Sequence, residues 1–196
     1  MKSVFIFFFL LTIHFFSCTD NANNNLFGNL PSIAEKYKLK IDEVQKELSQ
    51  TTDLPKGRDL SLELLKIKDE ADFELRSYFE SNLLKLSLPF LHENENELFS
   101  IKSIKIVSVS FNQIEIEAEF TAKIDSRNSI FAYLKFSDMK GNDIPGWIVA
   151  ISKKELKKDS VFTFSGSFTG IEKLVNAEKI LIKSREDYER SSSFNN

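Results

Sequence analysis

The chain has 196 residues, 42% of them apolar and 28% charged, with a formal net charge of −3 at neutral pH. That balance is globular, too apolar for a disordered chain, and it lacks the basic field that nucleic-acid binding requires. One Cys and two His exclude an intrachain disulfide framework and any Cys-cluster zinc site, while 19 Phe against 4 Tyr and 1 Trp is an unusual aromatic bias.

The N-terminus, MKSVFIFFFLLTIHFFSC, joins Lys2 to an apolar run from Val4 to Phe16, interrupted by Thr12 and His14. As a helix such a run rises only about 20 Å, short of a hydrocarbon core of about 30 Å. It fits a signal-peptide h-region, here 1–17, better than a spanning helix. The junction Phe15-Phe16-Ser17-Cys18 resembles the lipobox of bacterial lipoproteins. That resemblance implies cleavage before Cys18, acylation of its thiol, and a membrane-anchored protein of the cell envelope. Cys18 is the only cysteine and sits at this boundary.

Residues 18–31 then read as the lipidated Cys followed by a flexible tether, because TDNANNN is rich in Asn and poor in apolar side chains. Ser32-Ile33-Ala34-Glu35 is a capping-box pattern. Ile33, Tyr37, Ile41, Val44 and Leu48 follow at helical spacing, and a second stripe runs through Leu60, Leu64, Ile67, Ala71, Leu75, Tyr78 and Phe79, with Asp59 as its expected cap. Thr51 to Gly57 separates the stripes and predicts an αα-hairpin over 32–88.

From Ser100 the period becomes two. Ile114, Ile116, Ala118, Phe120, Ala122 and Ile124 alternate with Glu115, Glu117, Glu119, Thr121 and Lys123, a strand with one wet face. Ile130–Phe136 is apolar on both faces and predicts a central strand. Strands are also expected near Ile104, over 147–151, over 161–168 and over 179–183, and 98–185 therefore reads as an antiparallel β-sandwich. The stretch KKELKKDSVFTFSGSF is similar to a late strand of the Ig-like domains found in bacterial envelope proteins, without the Cys…Trp…Cys framework of antibody domains. The expected architecture is α+β: an N-terminal helical hairpin, an antiparallel Ig-like β-sandwich, and a polar tail over 186–196.

Chemistry is sparse. His92 lies in the run LHENENE, a solvated connection rather than an established ligand spacing, and Asp138-Met139-Lys140-Gly141-Asn142-Asp143 reads as a hairpin turn. No nucleophile elbow, phosphate loop or dinucleotide fingerprint occurs. The expectation is a non-enzymatic binding or structural module with no catalytic residues, cofactor, metal or nucleic-acid partner. Its candidate ligand-binding residues are Trp147, Tyr133 and Phe131, for a protein or glycan. The alternative is an assembly protein that binds a partner through the helix stripes, with Tyr37, Ile41 and Leu75 exposed. A hydrolase or metal-dependent enzyme built on His92 is the remote third.

Overall fold

A computed structural model describes residues 25–92, 97–146, 148–152 and 155–183, with Arg185 and Glu189 beyond them. The expected signal sequence, Cys18, residues 18–24 of the expected tether, 93–96 of the polar run, Trp147 and nearly all of the 186–196 tail lie outside the described residues.

The fold is α+β: two helices, then two sheets packed face to face as a sandwich. Helix α1 spans Leu30–Gln50 and α2 spans Leu54–Asn82. Strands β1 (Phe90–His92), β7 (Lys179–Lys183), β4 (Ile130–Ser137) and β5 (Ile148–Ser152) form one sheet in that order. Strands β2 (Phe99–Ser110), β3 (Gln113–Ala122) and β6 (Val161–Thr169) form the other. A short 3-10 helix, Ile171–Asn176, links β6 to β7.

Both helices start earlier than the capping patterns suggest. Asn29 is the cap of α1, with Pro31 in its first turn, and Asp53 is the cap of α2, with Pro55 in its first turn. Proline is favoured there because its missing N–H is one of the unpaired donors of a helix start. Ser32, Gly57 and Asp59 are therefore helical rather than cap or break. The helices lie side by side in opposite directions. Lys36 and Tyr37 bond Glu74 near one end, and Glu47 pairs with Lys56 at 2.7 Å near the other.

Residues 25–31, expected in a flexible tether, are folded. Leu26, Phe27 and Leu30 are buried, and the Leu26 N–H donates to the Ala177 carbonyl at 2.8 Å. The Asn25 side-chain amide donates to the Val175 carbonyl, and its oxygen accepts the Phe27 N–H. This clip sets the Phe27 ring edge-on against Phe136, which is itself edge-on to Phe168 of the opposite sheet. A second aromatic group joins Phe99, Phe120, Phe162 and Phe164. Gly166 of β6 lets the sheets close, since a Cβ there would stand 2.1 Å from Cγ2 of Ile148.

One main core runs from Phe27, Leu30, Leu75 and Phe79 through the inner faces of both sheets. A smaller cluster of Tyr37, Ile41, Val44, Leu60, Ile67 and Ala71 lies between the far halves of the helices, and Ile33 touches both. The sheet pairing is antiparallel except for β1, which pairs in parallel with β7. Leu91 and His92, expected in a connection, belong to that strand. Nearly the whole sandwich separates β1 from β7 in sequence, so no tight turn enforces an antiparallel pairing.

Candidate functional site: the outer face of the four-stranded sheet

Strand β4 lies between β7 and β5, and successive side chains point to opposite faces. Ile130, Ala132, Leu134 and Phe136 enter the core. Phe131, Tyr133, Lys135 and Ser137 occupy the other face. Residues directly opposite across a ladder share a face. Tyr133 is opposite Lys183, Lys135 is opposite Leu181, Ser137 is opposite Lys179, and Leu91 is opposite Leu181 from the far side. The outer face thus carries an aromatic pair and two leucines bordered by lysines.

Phe131 and Tyr133 lie nearly parallel, 6.5 Å between ring centroids and 11° between planes. The Arg185 guanidinium sits 5.6 Å over the Phe131 ring, and its Nε donates to Glu189 at 2.7 Å. A cation over an aromatic face is held by the ring quadrupole. Tyr133 is buried and Phe131 is half-buried. The pair therefore offers edges and a guanidinium to solvent rather than an open ring face. The two rings touch each other, and Arg185 lies over the Phe131 ring.

Lys135 is mostly buried, and its ammonium pairs with Asp143. That pair closes the 138–143 turn against the sheet. Within the turn the Asn142 backbone and side-chain N–H groups both donate to the Asp138 carboxylate at 2.8 Å. These bonds, the side-chain one foremost, hold the Asp138 carboxyl below its ordinary value. The tip is Gly141, at φ +83°. The oxygen groups of this loop are thus committed to the turn and to Lys135.

The other sequence candidates are not gathered into a site. The backbone of His92 pairs with Ile182 in β1. No group of three or more metal-ligating side chains occurs among the described residues. The Glu115, Glu117 and Glu119 row faces outward and bonds Ser108, Lys105 and Lys102 in turn. Tyr37, Ile41 and Leu75, whose exposure would have marked a helical docking face, are buried. The exposed assembly surface expected from those stripes is consumed inside the chain, because the stripes pack on each other and on the sheets.

The cations of this face escaped sequence reasoning. Lys179 and Lys183 are the two ends of KILIK, and Arg185 follows two residues on. The alternation of Lys with Ile and Leu was the available signal, because period two places Lys179, Leu181 and Lys183 on one face.

No family model matches the chain, nor does any curated protein or solved structure. Among the described residues no helix is long and apolar enough to cross a membrane.

Proposed function

We propose that this chain is a lipid-anchored lipoprotein of a bacterial envelope, and that its Ig-like sandwich, carried beside a helical hairpin, is a non-enzymatic module for an acidic protein partner. The observation that carries the binding half is the outer sheet face. On a protein of net charge −3, it concentrates Lys179, Lys183 and Arg185 around Phe131 and Tyr133. Aromatic and Arg side chains are the groups enriched where protein partners bind. A sugar ring needs an open aromatic face to stack on, and here Arg185 takes the Phe131 face. A protein is therefore favoured over a glycan. The anchoring half rests on the apolar leader that ends at Cys18. Several acyl chains on one Cys, at about 0.8 kcal/mol per buried CH₂, would hold the protein firmly to a bilayer.

Two experiments test the halves separately. Cys18→Ala should release the protein from membranes and abolish palmitate labelling; equal retention by the variant overturns the anchor. For the partner, a photo-cross-linking amino acid replaces Phe131 in the full chain in its own cells. The expected result is a light-dependent adduct with a protein that disappears on Lys179→Glu/Lys183→Glu. An adduct with carbohydrate, or one indifferent to the two charge reversals, overturns the acidic-protein reading.

A further inference from the structure

The face of α2 turned away from the core carries a second apolar stripe. Leu54, Leu62, Leu65 and Phe73 are 86%, 55%, 59% and 76% exposed. With Arg58 and Asp69 they follow one another at spacings of four, four, three, four and four, which is one helix face. Buried Leu60, Ile67, Ala71 and Leu75 of α2 lie on the opposite side. Isolated exposed leucines are ordinary, but an aligned stripe of three leucines and a phenylalanine marks a contact surface.

The order of the stripe indicates what covers it. From a centre midway between Leu62 and Leu65, Arg58 and Asp69 are equidistant, and so are Leu54 and Phe73. We propose that a second copy of this chain docks antiparallel on α2 about a two-fold axis at that centre. Each contact then occurs twice, as a two-fold interface requires. Leu62 meets Leu65, Arg58 meets Asp69 with opposite charge, and Phe73 meets Leu54. Arg58 and Asp69 form no ion pair with any described residue of their own chain, so both are available. A shallow depression lined by Leu54, Pro55, Arg58, Asp59 and Leu62 lies where the Phe73 ring of the other copy arrives. The stripe is about 30 Å long on a helix about 10 Å wide. That is less than the roughly 800 Å² per partner of a stable interface. The dimer is accordingly reversible, and its population rises with concentration.

The test uses the full chain in detergent, followed by sedimentation across a concentration series. Arg58→Asp and Asp69→Arg should each weaken self-association by about tenfold or more, because like charges then oppose each other twice. The double reversal Arg58→Asp/Asp69→Arg should restore it. All these positions are exposed, and unchanged circular dichroism separates lost docking from lost folding. Register is read by disulfide trapping in a Cys18→Ala background, which leaves no other thiol. Arg58→Cys and Asp69→Cys chains, mixed, should cross-link faster than either alone. A chain that stays monomeric, a double reversal that fails to rescue, or a photo-cross-linker at 73 that joins lipid or another protein rather than a second copy overturns the proposal.

Discussion

The sandwich and the far half of the helical pair solve the same burial problem with unequal means. Each sheet covers the other, and Leu75, Phe79 and Leu83 from the end of α2 join that core. The far halves of α1 and α2 pack mainly on each other, with Phe111 of the β2–β3 turn against their cluster and Lys38 paired with Glu172. Six buried residues hold them together, and their opposite faces leave Leu39, Leu54, Leu62, Leu65 and Phe73 in solvent. An isolated pair of helices is marginal in water. The difference teaches that the two halves of each helix differ in stability although the helix is continuous.

The largest expected effect comes from Phe27→Ala. Phe27 is fully buried and touches Phe136, which spans to Phe168, so truncation opens a cavity where the 25–29 segment, helix and both sheets meet. The cost should be about 3–5 kcal/mol. Urea unfolding followed by near-UV and far-UV circular dichroism should show both regions failing together. Ile41→Ala should cost about 2–3 kcal/mol by the same mechanism, but locally. Hydrogen exchange should accelerate in 37–50 and 54–71 while β3 stays protected. If β3 loosens equally, the two regions are one cooperative unit and the contrast fails.

Gly166→Ala probes the sandwich alone. Its new Cβ meets Ile148, and overpacking of this kind costs about 1–3 kcal/mol. Ile148→Ala alone should destabilise too, but the pair should be less destabilised than the sum, because the smaller side chain removes the clash. Simple additivity in the double variant would sink the idea that this contact sets the sheet separation.

The same contrast explains what was legible in the sequence. Strand β3 could be read directly, because one face is core and the other is water. Strand β2 was blurred by register shifts between Ile101 and Ser103 and between Ile106 and Ser108. Its buried residues, Phe99, Ile101, Ile104, Ile106 and Val109, step by two, three, two and three, and a bulge has that effect on any alternation. The helix stripes were legible, but not their starts, because Pro31 and Pro55 look like breakers and act as first-turn residues. Phe27 was hidden in an Asn-rich context, since its burial depends on a clip to Ala177 that is distant in sequence. The candidate face was legible only at Phe131 and Tyr133. Its cations come from β7 and from Arg185, and only the β4–β7 register brings them beside the aromatic pair.

The smallest effect is the dependence of the helical region on pH. Lys38 of α1 reaches Glu172 of the 3-10 helix at 2.9 Å, with the Glu172 side chain only 10% exposed. Burial pushes the Glu172 carboxyl up, but the Lys38 hydrogen bond, its own backbone N–H and nearby lysines outweigh that, and the net shift is downward. The Glu74 carboxyl is lowered by hydrogen bonds from Lys36 and then Tyr37. A carboxyl lowered in the folded state binds its proton less readily than in the unfolded chain. Its contribution is complete above the ordinary value of about 4.3 and is lost as pH falls through the lower folded value. Lys36 and Lys38 are raised, chiefly by hydrogen bonds to Glu74 and Glu172, so their contributions hold below the ordinary lysine value and fade as pH rises through the higher folded one. Methyl NMR of Ile41 and Ala71 should therefore be flat across neutral pH, with disorder growing in acid before it grows in strong alkali. Removing one carboxyl by Glu172→Gln should cost about 0.2–1 kcal/mol at neutral pH, in the range of partly exposed pairs, and flatten the acid limb. A Glu172 titration midpoint at or above the ordinary carboxylate value would show that burial, not Lys38, governs this contact. The helices would then be tied to the sandwich by apolar packing and the Phe111 N–H bond to Asp72, without help from this ion pair.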